Sequence, residues 1–464
     1  MLLRLVADRT GLTGELGPAL ARPRKSPQVD RGVALDQIVE SLWGDKPPAS
    51  AHGTLRDYVK ELRKQLAVTG ESRIGTVPGG YVFRIGPGEL DLLSFEELRA
   101  EAMQAARDRA WAMIEATPAG FPWLEVAGKA LPGWLVIDLD ATLITARSDK
   151  EGAAPTWKKG YGFHPLGAWL ANTSECLALL LRPGNAGSNT VTDHVDVLGD
   201  ARKQVPARFR SKVIVRVDGA GATHDLMEHL LAIASPRRQV LFTCGWAITA
   251  ADEEAIALLP ASAWKPGVDR HGHPEQDKHV AEVTHLMSRA GNWAAGLRWI
   301  VRRARPSRRQ APNLTAFEKK TGWRYSITCT NIPLTGIPGV PGSHHPQLID
   351  VLHRQHAVVE DGVRGAKAMG LRNLPSKAWQ VNCGWVLAAS IAADLAAWTR
   401  LIGLHDQDGL AGAEPQTLRY RLWHLPARLT AHARQRVLKI SPAWPWKDAF
   451  LTCWERLTAL PVPA

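Results

Sequence analysis

The chain has 464 residues, enough for a large buried core and for more than one domain, since single cores stop growing near ~250–300 residues. Lysine and arginine outnumber aspartate and glutamate by 57 to 45, for a net charge of +12, and this excess suggests a polyanionic partner, the bland alternative being a soluble protein with a basic surface. Five scattered cysteines without a Cys-x-x-Cys pair give no sign of a zinc ribbon and point to buried, reduced thiols in a cytosolic protein.

From the N-terminus, Met1-Leu-Leu-Arg-Leu is too short an apolar stretch before Asp8 and Arg9 for a signal peptide. Residues 1–33 form one segment. A compact segment follows over 34–95, with a helix over Leu35 to Trp43, a turn at Gly44-Asp-Lys-Pro-Pro, and a second helix from about Ser50 to Leu66. That second helix has apolar positions Leu55, Val59, Leu62 and Leu66 at helical spacing. Thr76-Val-Pro-Gly79-Gly80-Tyr81-Val reads as a hairpin turning on its glycines. A helical connector occupies 96–130.

The run Trp134-Leu-Val-Ile-Asp-Leu-Asp140-Ala-Thr142 opens a third region, 131–464. Short apolar runs at 134–144, 164–171 and 176–182 predict three consecutive strands, followed by a helix from about 189 to 204, a strand at 213–217, a helix near 223–234 and a strand from Gln239. Residues 246–343 are less regular and β-rich, and helices return from Gln347, including 376–402. Gly384 to Leu404 is apolar, but Asp394 and Arg400 interrupt it, which predicts a buried helix and no membrane span.

Three carboxylates stand out. Asp140 and Asp218 end strand-like runs, and Glu360 lies in the helical pattern His353-Arg-Gln-His356-Ala-Val-Val-Glu360. Such a trio can hold two Mg²⁺ (or Mn²⁺) ions, which activate an attacking oxygen and neutralise a leaving one in phosphodiester chemistry. Asp138 competes with Asp140 for the first place, because a period of two puts both on one face of the strand. His353, His356 and Glu360 also form a zinc-type donor set, although no second ligand set matches it. Arg182-Pro-Gly184-Asn185-Ala-Gly187-Ser188-Asn189 is a glycine-rich turn into a helix, open either to a phosphate-binding reading or to that of a plain strand-to-helix turn.

Two resemblances sharpen this reading. Ser41-Leu-Trp-Gly44, Pro47-Pro-Ala-Ser-Ala51, Thr54-Leu-Arg-Asp-Tyr-Val59, Leu62-Arg63 and Pro78-Gly-Gly-Tyr81 resemble the winged helix of SARP-type antibiotic regulators, related to the OmpR group. The resemblance implies that Arg56, Lys60, Arg63 and Lys64 face the DNA major groove; the bland alternative is a solvated helix face. That family's leading strands and first helix have no counterpart here.

From residue 131 onward the chain resembles DDE-type insertion-sequence transposases of the family numbered thirteen-eighty, in DDE transposase group one. The matching segments are Asp138-Leu-Asp140-Ala-Thr142, Lys158-Lys-Gly-Tyr-Gly-Phe-His164-Pro-Leu, Leu181-Arg-Pro-Gly, Arg216-Val-Asp218-Gly-Ala-Gly, and His353 through Lys367. Later come Ala392-Ala-Asp394-Leu and Trp444-Pro-Trp446. The resemblance implies an RNase H-like α/β catalytic domain with a β-insertion at about 246–343 and C-terminal helices. It also implies a metal-binding triad of Asp140, Asp218 and Glu360, the aspartate two residues before Thr142 being preferred to Asp138. The glutamate helix resembles the tyrosine, arginine, glutamate, lysine signature of related transposases, with His353 and His356 replacing the first two and Lys367 keeping the last, which implies a face that holds DNA phosphates; the alternative for the histidines is an ordinary surface role. The implied partners are double-stranded DNA, namely terminal inverted repeats and target, and a second copy in the synaptic complex; the implied location is the bacterial nucleoid.

Arg302 and Arg303, near Trp293, Trp299 and Trp323, read as DNA-gripping residues, with core packing as the alternative for the tryptophans. Residues 1–33 also resemble the start of the same transposase family, whose sequence returns near Ala106-Arg-Asp-Arg-Ala-Trp111. The chain thus reads as a transposase interrupted by part of a regulator. The alternatives to an active transposase are a winged-helix transcriptional regulator and an inactive chimera.

Overall fold

The run from Leu135 to Leu139 is apolar apart from Asp138, and it is buried throughout, as expected for a strand covered on both faces. In the computed structural model this strand, β1 (Leu135–Ala141), pairs antiparallel with β2 (Leu166–Leu170) and parallel with β4 (Lys212–Asp218). β3 (Glu175–Leu180) flanks β2, and β5 (Gln239–Ala247) runs parallel to β4. Helices α1 (Val191–Gln204) and α2 (His224–Ala232) supply the connections from β3 to β4 and from β4 to β5. The structure describes residues 1–14, 33–36, 38–39, 47–48, 50–65, 74–83, 91–187, 189–287, 293–432 and 435–461.

The β-rich stretch after β5 continues the same sheet. β6 (Lys265–Val268), β7 (Pro274–Glu282), β8 (Arg298–Ala304) and β9 (Arg324–Thr330) extend it to nine strands in the order β3-β2-β1-β4-β5-β9-β8-β7-β6. The result is a mixed α/β architecture around one large sheet, with β1 and β4 as neighbours.

Helix α3 (Pro346–Arg354) is laid across these strands because Leu348, Ile349, Val351 and Leu352 join the buried cluster formed by Val136, Ile214, Leu241 and Ile300. Each such buried side chain stabilises the fold by roughly 1.5–3 kcal/mol. A 3₁₀ turn, Gln355–Val358, leads into α4 (Val359–Ala366), whose Val359, Val363 and Ala366 pack with Trp169 and Cys176 of the β2–β3 edge. The helix then widens into a π-turn at Lys367–Leu371, where Gly370 takes a φ of 128°.

α5 (Trp379–Trp398) is, with the turn that follows it, long and apolar enough to cross a membrane by composition. Here its second half is the more deeply buried, with Ala389, Ala393 and Ala396 to Trp398 in the interior, while Val381 and Trp385 of the first half are exposed. Its Asp394 is fully buried and receives Nη2 of Arg107 at 2.6 Å and the backbone N–H of Cys176 at 2.8 Å. The same guanidinium donates to Glu175 at 2.8 Å, and Glu175 also accepts from the indoles of Trp111 and Trp398. Nearly every polar atom of this buried hub is satisfied, so its desolvation cost is met by hydrogen bonds.

The chain divides into two units, one comprising Met1–Gly11 with Gln104–Ala464 and the other Leu12–Met103. In the second, the helix Ala51–Gln65 buries Ala51, Leu55 and Val59 against Val39 and Ile74. Strands Ile74–Val77 and Gly80–Phe83 form the expected hairpin, with Gly79 at a φ of 77°, and the short strand Val33–Ala34 pairs with its outer side. The motif Ser41-Leu-Trp-Gly44 and Leu66 lie outside the described residues.

Candidate active site

β1 and β4 are parallel and in register, with Asp138 opposite Arg216 and Leu139 opposite Val217. The next residues along, Asp140 and Asp218, therefore leave the sheet side by side at the same end. Over that end stands His356, in the turn between α3 and α4. One ligand atom from each of Asp140, Asp218 and His356 lies within 4.8 Å of the other two. A second group of this kind, His224, Asp225 and Glu228, sits on the surface at the start of α2.

The two aspartates of β1 have different environments. Asp138 is buried and accepts two hydrogen bonds from Arg216, Nε at 2.6 Å and Nη2 at 2.7 Å, plus one from Nδ1 of His356 at 2.8 Å. Burial favours its neutral form, yet Arg216 and His356 outweigh that and hold its pKa below the usual carboxylate range. Asp140, by contrast, is held up to about 6, mainly by burial, with Asp218 adding to the effect and His356 opposing it. Asp138 is thus engaged within the protein, while Asp140 belongs to the open acidic group.

His356 is the hinge of this arrangement. Burial alone would lower its pKa, but the carboxylates of Asp138 and Asp218 raise it to about 9. Its Nε2 stands 3.6 Å from Asp218, beyond hydrogen-bond range, and is buried without a hydrogen-bond partner. His356 in turn is the largest influence on Asp218, whose pKa falls below its ordinary value. His353 pairs with the Thr243 hydroxyl at 3.1 Å, and burial, with the charges of His356 and Arg216, pushes it down to about 3, so it is neutral at pH 7. A Cβ on Gly245 of β5 would stand 2.1 Å from Nε2 of His353, so any larger residue there would have to displace the His353 ring.

Lys367 donates to the Thr142 hydroxyl at 2.7 Å, placing a cation beside the end of β1. Burial, followed by Arg372, lowers its pKa, while Asp140 opposes the change. Glu360 is exposed on α4, one helical turn beyond His356, and is outside the clustered group.

The remaining expected contacts fall elsewhere. Arg302 faces Asp350 at 3.7 Å, and Arg303 lies between Trp264 (4.1 Å) and Trp323 (4.7 Å), so both guanidinium groups have partners within the fold. Trp299 is buried and Trp293 stacks near it and Trp246. Arg63 donates to the Ile74 carbonyl and the Thr76 hydroxyl, bracing the hairpin, whereas Arg56 is exposed; the Lys64 side chain lies outside the described residues. Sequence reasoning missed Arg216 as the partner of Asp138 and His356 as the link to Asp218. The first was open to the alternation of β4, and the second needed the fold.

Two strand-end carboxylates under a histidine-bearing helix define an α/β protein with an acidic site suited to divalent cations. The sequence model of "Transposase DDE domain group 1" matches residues 94–462, and the chain belongs to that family. The N-terminal part is similar to regulatory proteins of Streptomyces. Regulatory protein DnrI of Streptomyces peucetius is 32% identical over 118 residues, 23% of this chain and 43% of that protein. Regulatory protein AfsR of Streptomyces griseus is 35% identical over 81 residues, 17% of this chain and 8% of that protein. The chain spans less than half the length of these curated relatives. A piggyBac transposase synaptic complex with hairpin DNA is similar in structure at a TM-score of 0.38 and 10% identity, over 90% of this chain and 70% of that one.

Proposed function

We propose that this chain is a DNA transposase that cleaves and joins the ends of an insertion sequence with two Mg²⁺ or Mn²⁺ ions, in an RNase H-like catalytic domain. The observation that carries the reading is the convergence of Asp140, Asp218 and His356 at one end of two adjacent parallel strands. The order of β1 to β5 and its two helical connections support the fold assignment.

The donor set fits such ions: Asp140 and Asp218 offer the oxygen ligands that Mg²⁺ and Mn²⁺ prefer, and neither is committed to a salt bridge with arginine or lysine among the described residues. Asp140 and Asp218 would hold the ions, with Glu360 supplying the third carboxylate. Bound there, the ions would activate the attacking oxygen and neutralise charge on the leaving one. The chain's own residues prepare the site. Arg216 fixes Asp138, Asp138 fixes the His356 ring, and protonated His356 offsets negative charge beside Asp218.

The substrates would be duplex DNA, namely terminal repeats and target, held by two synapsed copies in the bacterial nucleoid. Lys367, His353 and His356 are the proposed contacts of the catalytic unit. Arg56, Arg63 and Lys64 are those of a partial winged helix at 34–95. The test is strand cleavage of a labelled terminal-repeat duplex by the purified chain with Mg²⁺. Cleavage by the parent and none by Asp218→Asn is expected, and equal cleavage by both refutes the assignment.

The similarity of the N-terminal part to Streptomyces regulatory proteins favours a second reading, a promoter-binding regulator with an idle catalytic unit. Protection of direct repeats without any cleavage would select it.

A further inference from the structure

Between β1 and β2 the chain makes a small hairpin that the catalytic chemistry leaves unexplained. Tyr161–Phe163 pairs antiparallel with both Ile144–Thr145 and Ala154–Pro155, and the first of these strands begins two residues after Thr142. The tip is locked. Thr156 N–H donates to the Gly160 carbonyl at 2.8 Å, Lys159 N–H to the Thr156 carbonyl at 2.9 Å, and Gly160 N–H to the Thr156 hydroxyl at 3.1 Å. Lys159 holds a φ of 59°, the left-handed turn conformation. The base is braced as well: Gly162 leaves no room for a Cβ against the Ile144 carbonyl, and Phe163 packs near Trp379.

On this rigid tip Trp157 is 69% exposed, with the Lys158 ammonium 4.8 Å from its ring centroid. Tyr161 is exposed nearby, and Lys158 and Lys159 are exposed. A large aromatic ring held in water by a stiff turn loses the burial that usually keeps tryptophan inside. The hairpin springs from the strand ends that carry Asp140 and Thr142, Thr142 holds Lys367, and the charge of Lys158 reaches Lys367, which Asp140 also influences. Exposed aromatic rings interleaved with lysines match the chemistry of an unpaired nucleic-acid strand, whose bases stack and whose phosphates need counter-charge.

We propose that the 156–161 hairpin is a stacking platform for an unpaired DNA base next to the acidic site, with Trp157 as the stacking ring and Lys158 and Lys159 as phosphate partners. This rests on the reading of the protein as one that acts on DNA. It adds a binding element outside the carboxylate group.

The test uses the full chain in EDTA, which removes cleavage from the measurement. The probes are a blunt duplex and the same duplex with a short single-stranded thymidine overhang carrying 2-aminopurine. Expected are tighter binding of the overhang probe by the parent, a loss of about fivefold or more in that affinity for Trp157→Ala, and retention by Trp157→Phe. Both variants should melt at the parent's temperature, because the ring is exposed. Equal overhang binding by Trp157→Ala and the parent, with duplex binding intact, overturns the platform alone. No binding of either probe by the parent overturns the DNA reading and the platform together.

Discussion

Asp138 and His356 are 218 residues apart in the chain and 2.8 Å apart in the fold. That contact brings a helix turn up to the acidic group. It orients the imidazole from below, leaves Nε2 on the side of Asp218, and ties the helical layer to β1. Arg216 completes the support by gripping Asp138 with two nitrogens and the Leu352 carbonyl with a third at 2.9 Å.

Arg216→Ala would leave Asp138 a buried carboxylate with two of its hydrogen bonds gone and only His356 still donating to it among the described residues. The expected cost is roughly 3–5 kcal/mol of stability, the range for breaking a buried pair by removing one partner. Urea unfolding followed by tryptophan fluorescence checks it, and a loss below about 1 kcal/mol would mean that the pair is not buried as described.

His356→Gln keeps a side chain of similar reach while removing the charge. Supporting groups of this kind typically contribute about 10–100-fold to metal affinity or activity, and a loss in that range is expected in Mn²⁺ titration. The histidine also links stability to pH. Its folded pKa of about 9 lies above the ordinary 6.5, so its stabilising contribution is complete below about 6.5 and is lost as pH rises through 9. Urea midpoints between pH 6.5 and 9.5 should fall for the parent and fall less for the variant.

Asp140 sets an acidic limit on cation binding. With its carboxyl held up to about 6, a proton competes with the ion below that pH, so affinity for Mn²⁺ should drop about tenfold per pH unit below 6 and level off above 7. Mn²⁺ titrations from pH 5 to 8, read by electron paramagnetic resonance, give the profile. A flat profile would remove Asp140 from the ligand set.

The buried hub has its own signature. One guanidinium, Arg107, serves both Glu175 and Asp394, and burial lifts Asp394 to about 7 despite Arg107. Because the folded state holds this proton more tightly than the unfolded chain, stability should fall as pH rises from about 3.8 to about 7. Asp394→Asn, which keeps an acceptor for Cys176 N–H, should flatten that fall, as urea midpoints at pH 5 and 8 would reveal.

Much of this site was legible in the sequence because it is built from local patterns. The continuous apolar runs around Asp138 to Asp140 and before Asp218 mark central strands, but that β1 and β4 are neighbours followed only from the fold the family resemblance implies, since β2, β3 and α1 separate them in the chain and no spacing rule demands it. The roles within the site were less legible. Alternation puts Asp138 and Asp140 on one face, and only the long-range partners Arg216 and His356 separate a supporting carboxylate from an open one. Arg302 and Arg303 show the same limit from the other side. A run of arginines among tryptophans suggests a nucleic-acid grip, yet the heads meet Asp350, Trp264 and Trp323 because β8 alternates between a helix-covered face and an aromatic one. Charge in sequence does not say where a long side chain ends.

The most direct measurement is anomalous scattering from crystals of the full chain soaked in Mn²⁺. The arrangement described here predicts anomalous density bonded to carboxylate oxygens of both Asp140 and Asp218, absent in Asp140→Asn. Density confined to the surface group His224, Asp225 and Glu228, or none near β1 and β4, would contradict it.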